Sequence, residues 1–197
     1  MRLFVALLPP PSVADELADA VGPLRRLPDA SALRWTTRES WHFTLAFLGE
    51  VADPVRSELA ERLGRAAARH DLCALRLSGG GRFGDRALWA GADGDLTRLA
   101  ALADSVRAAA RRAGAPPDAE HAFRPHLTLA RTQRGHAVSL LPFADALAAL
   151  HGAAWSADTL HLVSSALPRS GVPGEQPRYT TEESWPLGRP AAHRPEE

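Results

Sequence analysis

Two short segments place an imidazole and a hydroxyl at the same spacing: Trp41-His42-Phe43-Thr44-Leu45-Ala46-Phe47 and Pro125-His126-Leu127-Thr128-Leu129-Ala130-Arg131. Each holds His-x-Thr-Leu-Ala within an alternating apolar pattern, the mark of a strand with one buried face. A strand period of two puts His and Thr side by side on one face, while the residues between anchor the other. Two such faces suit transfer at phosphorus. One imidazole removes a proton from the attacking oxygen, and the other protonates the departing oxygen. With a reference pKa of about 6.5, histidine can do either near neutrality. The hydroxyls of Thr44 and Thr128 would bind the non-bridging oxygens. Arg131 could add a bidentate charge clamp. Its parity is opposite to that of His126 and Thr128, so only a bulge or strong twist at the strand end would aim it at the site.

A single His-x-Thr arises easily by chance as a half-buried polar pair. The weight here rests on two copies in matching places of an internal repeat. His42 and His126 lie 84 residues apart. At the same shift strand 3–8 falls on strand 87–91, and the helix after Ser12 falls on the helix after Asp95. Strand 72–78 then falls close to strand 155–164. The chain reads as one bilobal domain over 1–187, with copies at about 1–84 and 85–168 and a closing strand at 178–186. Duplicated lobes related by a pseudo-two-fold would set the two histidines across a shared cleft.

The elements that must position these residues follow from periodicity and punctuation. Strands are expected at 2–8, 33–36, 41–48, 72–78, 87–91, 126–131, 155–164 and 178–186. Helices are expected after Ser12, after Asp53-Pro54, from Asp95 to Gly114 and over about 142–150, with Ser12, Asp53 and Asp95 as N-caps. Gly79 to Asp85 reads as a glycine-rich hairpin loop or mobile rim, and Pro168–Pro177 as a loop. The tail 188–197 has almost no apolar content and is expected to be disordered.

With these motifs the sequence resembles the RNA 2′,3′-cyclic phosphodiesterases, also called 2′-5′ RNA ligases, of the two-histidine (2H) phosphoesterase superfamily. The resemblance covers about residues 2–187. It rests on Arg2-Leu3-Phe4-Val5-Ala6-Leu7, Trp41–Glu50, Phe123–Arg131 and the stretch ending Pro177-Arg178-Tyr179. It implies an α+β fold of two lobes, each an antiparallel sheet flanked by helices, around a central cleft. It implies metal-independent opening of a terminal 2′,3′-cyclic phosphate to a 2′-phosphate, with ligation as the reverse type of reaction. His42 would be the acid at the departing 3′ oxygen and His126 the base on water. Thr44, Thr128 and Arg131 would hold the phosphate. Phe47 stands where Arg131 stands in the second motif, so the clamp would be one-sided. Two rivals stay open: a small cyclic nucleotide or nucleotide-derived cyclic phosphate as substrate, and a non-catalytic module that only binds RNA ends.

Other residues weigh less. Phe4 and Trp35 are candidates for stacking on a terminal base, although strand aromatics are usually core. Arg124 shares parity with His126 and is a candidate RNA contact. Arg34, Arg38, Arg82 and Arg178 are weaker ones, because a solvated arginine is the ordinary case. His161, in Leu160-His161-Leu162-Val163, imitates the motif with valine in place of threonine and reads as a strand histidine. His70, His136, His151 and His193 read as surface residues, and His121 has no helical ligand spacing to His126. No His-x-His or His-Glu-x-x-His occurs, so no metal and no cofactor is expected.

Composition narrows the field further. The chain has 197 residues, 45% hydrophobic and 23% charged, which are globular values. No run of eighteen apolar residues occurs, so no membrane partner is expected. The single Cys73 excludes a disulfide framework and a cysteine zinc site. All 23 basic residues are arginine, which removes Schiff-base lysine chemistry and the P-loop lysine. They balance 23 acidic residues, which favours recognition of one terminal phosphate over a long RNA track. A cytoplasmic monomer acting on RNA ends is the expectation.

Overall fold

The computed structural model describes residues 1–118, 123–133, 135, 137–167 and 176–188. The chain forms strands β1 (Arg2–Leu7), β2 (Leu33–Trp35), β3 (Phe43–Glu50), β4 (Cys73–Phe83), β5 (Ala87–Gly94), β6 (His126–Thr132), β7 (Trp155–Ala157), β8 (Thr159–Ala166) and β9 (Arg178–Pro186). Helices α1 (Pro11–Leu24), α2 (Asp53–Ala67), α3 (Leu96–Arg112) and α4 (Leu141–Ala146) lie between them. Two antiparallel sheets result, ordered β3-β1-β8-β9 and β2-β6-β5-β4-β7. The expected α+β class with two antiparallel sheets and flanking helices is what the chain adopts. Among the described residues no helix is long and apolar enough to cross a membrane.

β1 shows why the sheets can carry a site. Leu3, Val5 and Leu7 join the main core, while Phe4 and Ala6 turn to the opposite face and pack with Val163 and Tyr179. That strand is therefore buried on both sides. The helices supply the outer layer. Leu59, Leu63, Ala66 and Ala67 form the buried stripe of α2, and Leu99, Leu102, Ala103 and Val106 that of α3.

Neither sheet is built from one half of the sequence. β1 pairs with β3, and the corresponding β5 pairs with β6. The fourth strand of each half crosses over: β4 pairs with β5, and β8 pairs with β1; β2 crosses as well, onto β6. The two copies thus exchange strands.

Several local expectations change. The single strand 155–164 is two strands in different sheets, β7 on β4 and β8 on β1, with Asp158 alone between them. Gly79, Gly80 and Gly81 lie inside β4, not in a loop, and the turn is confined to Gly84-Asp85-Arg86. α4 spans Leu141–Ala146, short of the expected 142–150. Ser12, Asp53 and Asp95 make no side-chain cap: Pro10 and Ala52 occupy the first two N-cap positions. The Asp95 carboxylate instead accepts from the Ala74 N–H at 3.0 Å. The expected tail beyond Gly188 and most of the loop Pro168–Pro177 lie outside the described residues, as do His121, His136 and His193.

Candidate active site

A cavity of about 280 Å³ opens between the two sheets, lined on one wall by His42, Thr44 and Phe47 and on the other by His126, Thr128 and Arg131. His42 follows a 3-10 turn at Arg38–Ser40 and immediately precedes β3, while His126 opens β6. In both motifs the ladder slips after the threonine. Against β1, Ala6 faces Thr44 and Val5 faces Ala46, so Leu45 is the extra residue. Against β5, Trp89 faces Thr128 and Leu88 faces Ala130, so Leu129 is the extra residue. A bulge resets which face later side chains take. Leu129 and Ala130 are consecutively buried, and Arg131 emerges on the cavity side with His126 and Thr128. The equivalent bulge brings Phe47, half exposed, to the mirror position on the other wall.

Each imidazole sits against two aromatic rings. Phe4 lies 4.6 Å and Tyr179 5.2 Å from His42, between ring centroids. Phe83 lies 4.9 Å and Trp89 6.2 Å from His126. Each is also tied to the backbone two residues upstream. His126 Nδ1 donates to the Arg124 carbonyl at 2.7 Å, which leaves Nε2 as the free acceptor. The His42 ring bonds to the Ser40 backbone. Burial is the main cause of a His42 pKa lowered to about 4; the Ser40 bond opposes this and His126 adds to it. Burial also lowers His126, against the Arg124 carbonyl and with help from the Arg131 and Arg124 charges. In the free protein at pH 7 both rings are therefore neutral, and a bound anion would favour protonating them.

One hydroxyl joins the two motifs. Thr36 accepts from Trp41 Nε1 at 3.0 Å, next to His42. Its Oγ1 lies 2.9 Å from both the Thr128 and Leu129 carbonyls, at the bulge. Thr36 is a site residue the sequence reading did not single out. Tyr179, the chain's one tyrosine, is another. Its ring stands edge-on to Phe4 and His42, and burial raises its pKa, so the phenol stays protonated. A lone tyrosine on the closing strand was the available signal; nothing in the sequence marked Thr36.

The remaining candidates fall elsewhere. Phe4 is 3% exposed and packed by His42 and Tyr179, which leaves no open face for a base. Trp35 packs on Phe143 and under Arg25 and donates its Nε1 to Ala30, outside the cavity. Arg124 is exposed, with its guanidinium 4.6 Å from the Trp89 ring centroid. Arg38 is engaged by Asp15 and the Pro11 carbonyl, and Arg82 by Asp85. Arg34 does line the cavity. His161 is half-buried in β8 and bonded to Ser184 at 2.8 Å. His70 is half-buried, not a free surface residue, and pairs with Ser105 at 2.7 Å. Cys73 is fully buried, and burial pushes its thiol pKa up. Among the described residues no group of three or more His, Cys, Asp or Glu is placed to hold a metal ion.

Known proteins resemble this chain in sequence and in fold. A family model described as the 2′-5′ RNA ligase superfamily matches residues 9–168. A protein of Aeropyrum pernix named RNA 2′,3′-cyclic phosphodiesterase is 36% identical over 120 residues, 56% of this chain and 66% of that protein. The match thus spans just under two thirds of that relative. One of the same name from Archaeoglobus fulgidus is 33% identical over 141 residues, 68% of this chain and 74% of the relative. Among solved structures, E. coli LigT in apo form superposes with a TM-score of 0.74 at 26% identity, covering 95% of this chain and 98% of that one. A protein of Thermus thermophilus gives 0.73 at 27% identity, covering 96% and 99%.

Proposed function

The chain belongs to the 2′-5′ RNA ligase superfamily, and from that premise we propose that it is an RNA 2′,3′-cyclic phosphodiesterase working by acid–base catalysis between two histidines. The observation that carries this reading is the convergence of both His-x-Thr faces and Arg131 on one cavity. Two relatives bear the name of this activity. The cyclic phosphate sits between the imidazoles, its non-bridging oxygens on Thr44, Thr128 and the Arg131 guanidinium. Water attacks phosphorus and gives a proton to His126 Nε2, the acceptor left free by the Arg124 bond. The bond from phosphorus to the 3′ oxygen breaks, and His42 delivers a proton to that oxygen. The product carries a 2′-phosphate and a 3′-hydroxyl. The bound anion supplies the field that protonates one ring, which burial otherwise keeps neutral.

The test uses a short RNA ending in 2′,3′-cyclic phosphate, incubated with enzyme in excess EDTA and read by phosphorus NMR. The 2′-phosphate is the expected product. The 3′-phosphate would reverse the leaving group. Turnover only on adding metal would overturn the metal-independent mechanism. Tight binding without turnover under either condition would favour an RNA-end-binding module.

A further inference from the structure

Among the described residues, Arg34 is the one cavity-lining arginine that the chemistry above leaves unused. It lies on β2, the edge strand of its sheet, directly opposite Arg131 on β6. Side chains so paired leave the same face with their Cβ atoms about 5 Å apart, and like charges in that position are destabilising. Both guanidiniums are exposed and both line the cavity. Among the described residues neither has an ion-pair partner, although nine ion pairs occur elsewhere. A third positive group belongs to the same neighbourhood: Arg131, Arg2 and Arg34 all act on the Tyr179 phenol. An unneutralised like-charge pair costs stability unless an anion completes it. One phosphate, fixed by the two histidines and threonines, already occupies Arg131. Arg34 stands one strand further out, about 4.8 Å away along the sheet, on its edge strand.

We infer that Arg34 forms a second phosphate subsite, which takes the phosphodiester joining the terminal nucleotide to its 5′ neighbour. This rests on the phosphodiesterase reading and deepens it: the substrate is an oligonucleotide end, and a mononucleoside cyclic phosphate fills only half of the charge the cavity presents.

The experiment compares two dinucleotides ending in 2′,3′-cyclic phosphate, one with the natural linkage and one with a neutral methylphosphonate linkage. Wild-type enzyme should show a kcat/KM roughly tenfold higher for the charged linkage, the worth of one charge-assisted hydrogen bond, carried mostly in KM. Arg34→Gln should erase that difference while keeping kcat for the neutral substrate. Its melting temperature without ligand should equal or exceed that of the wild type, since a like-charge contact is gone; this also shows that the variant folds. Equal handling of both substrates by the wild type, or a preference that survives in Arg34→Gln, overturns the subsite alone. No turnover of either substrate by the wild type overturns the phosphodiesterase reading and the subsite with it.

Discussion

His42 and His126 are anchored alike, each to the backbone two residues upstream and each between two aromatic rings. Identical anchoring makes their division of labour a question for the substrate to answer. A 2′,3′-cyclic phosphate with sulfur in place of the bridging 3′ oxygen releases a thiolate, which leaves without a proton. His42→Ala should cut turnover of the natural substrate by at least about 10² and recover most of it on the sulfur substrate. His126→Ala should lose as much and recover nothing. Rescue of His126→Ala instead would exchange the two roles. At this scale the sequence revealed what chemistry needs and hid what packing needs. The paired His-x-Thr segments were legible because two copies at one spacing are improbable by accident. Phe4 was misleading because exposure is not written in a strand pattern: its ring lies beneath His42. Thr36 was silent because two of its three side-chain contacts are made across the fold, to the Thr128 and Leu129 carbonyls.

Bulges and glycines decide where the strands aim their side chains. The strict period of two would turn Arg131 away, and the extra residue Leu129 turns it back. A parity count shows that a bulge is required, but its position follows from the pairing with β5. The glycines of β4 have a related purpose. Gly81 pairs with Trp89, and a Cβ there would stand 2.4 Å from the indole ring. Gly81 therefore gives Trp89 room to lie on the sheet beside His126. Their clustering suggested a loop because glycine usually marks turns, and only the facing tryptophan reveals the other reason. Gly81→Ala should cost about 1–3 kcal/mol through overpacking, lower the melting temperature by several degrees and reduce kcat. Gly22→Ala, in α1 with open space around it, should stabilise slightly and leave kcat unchanged. A Gly81→Ala variant with wild-type melting and turnover would remove the glycine from any part in placing His126.

Most of the element order among the described residues was legible, because apolar periodicity is local, although the strand expected over 155–164 is two; the partition into sheets was not, because pairing is long-range. The repeat implies that each half owns a lobe, whereas β4 and β8 have changed places. Global stability also carries the mark of the buried histidines. His42 titrates at about 4 when folded against about 6.5 unfolded. Between those values the unfolded chain binds more protons, so stability is full above about pH 6.5 and declines towards pH 4. His42 alone accounts for on the order of 3 kcal/mol of that decline, and His126 contributes in the same direction. Urea unfolding at pH 7 and pH 4.5 should show the loss, and His42→Asn should flatten it. A wild-type stability that does not change over that range would refute the burial argument. The exchange of strands has a mechanical corollary. The backbone passes between the sheets four times: from β1 to β2, β2 to β3, β3 to β4, and β7 to β8 through the single residue Asp158. Parting the two walls would bend four connections at once. A ligand therefore reaches the cavity past its exposed lining side chains, Phe47 and Arg34 among them.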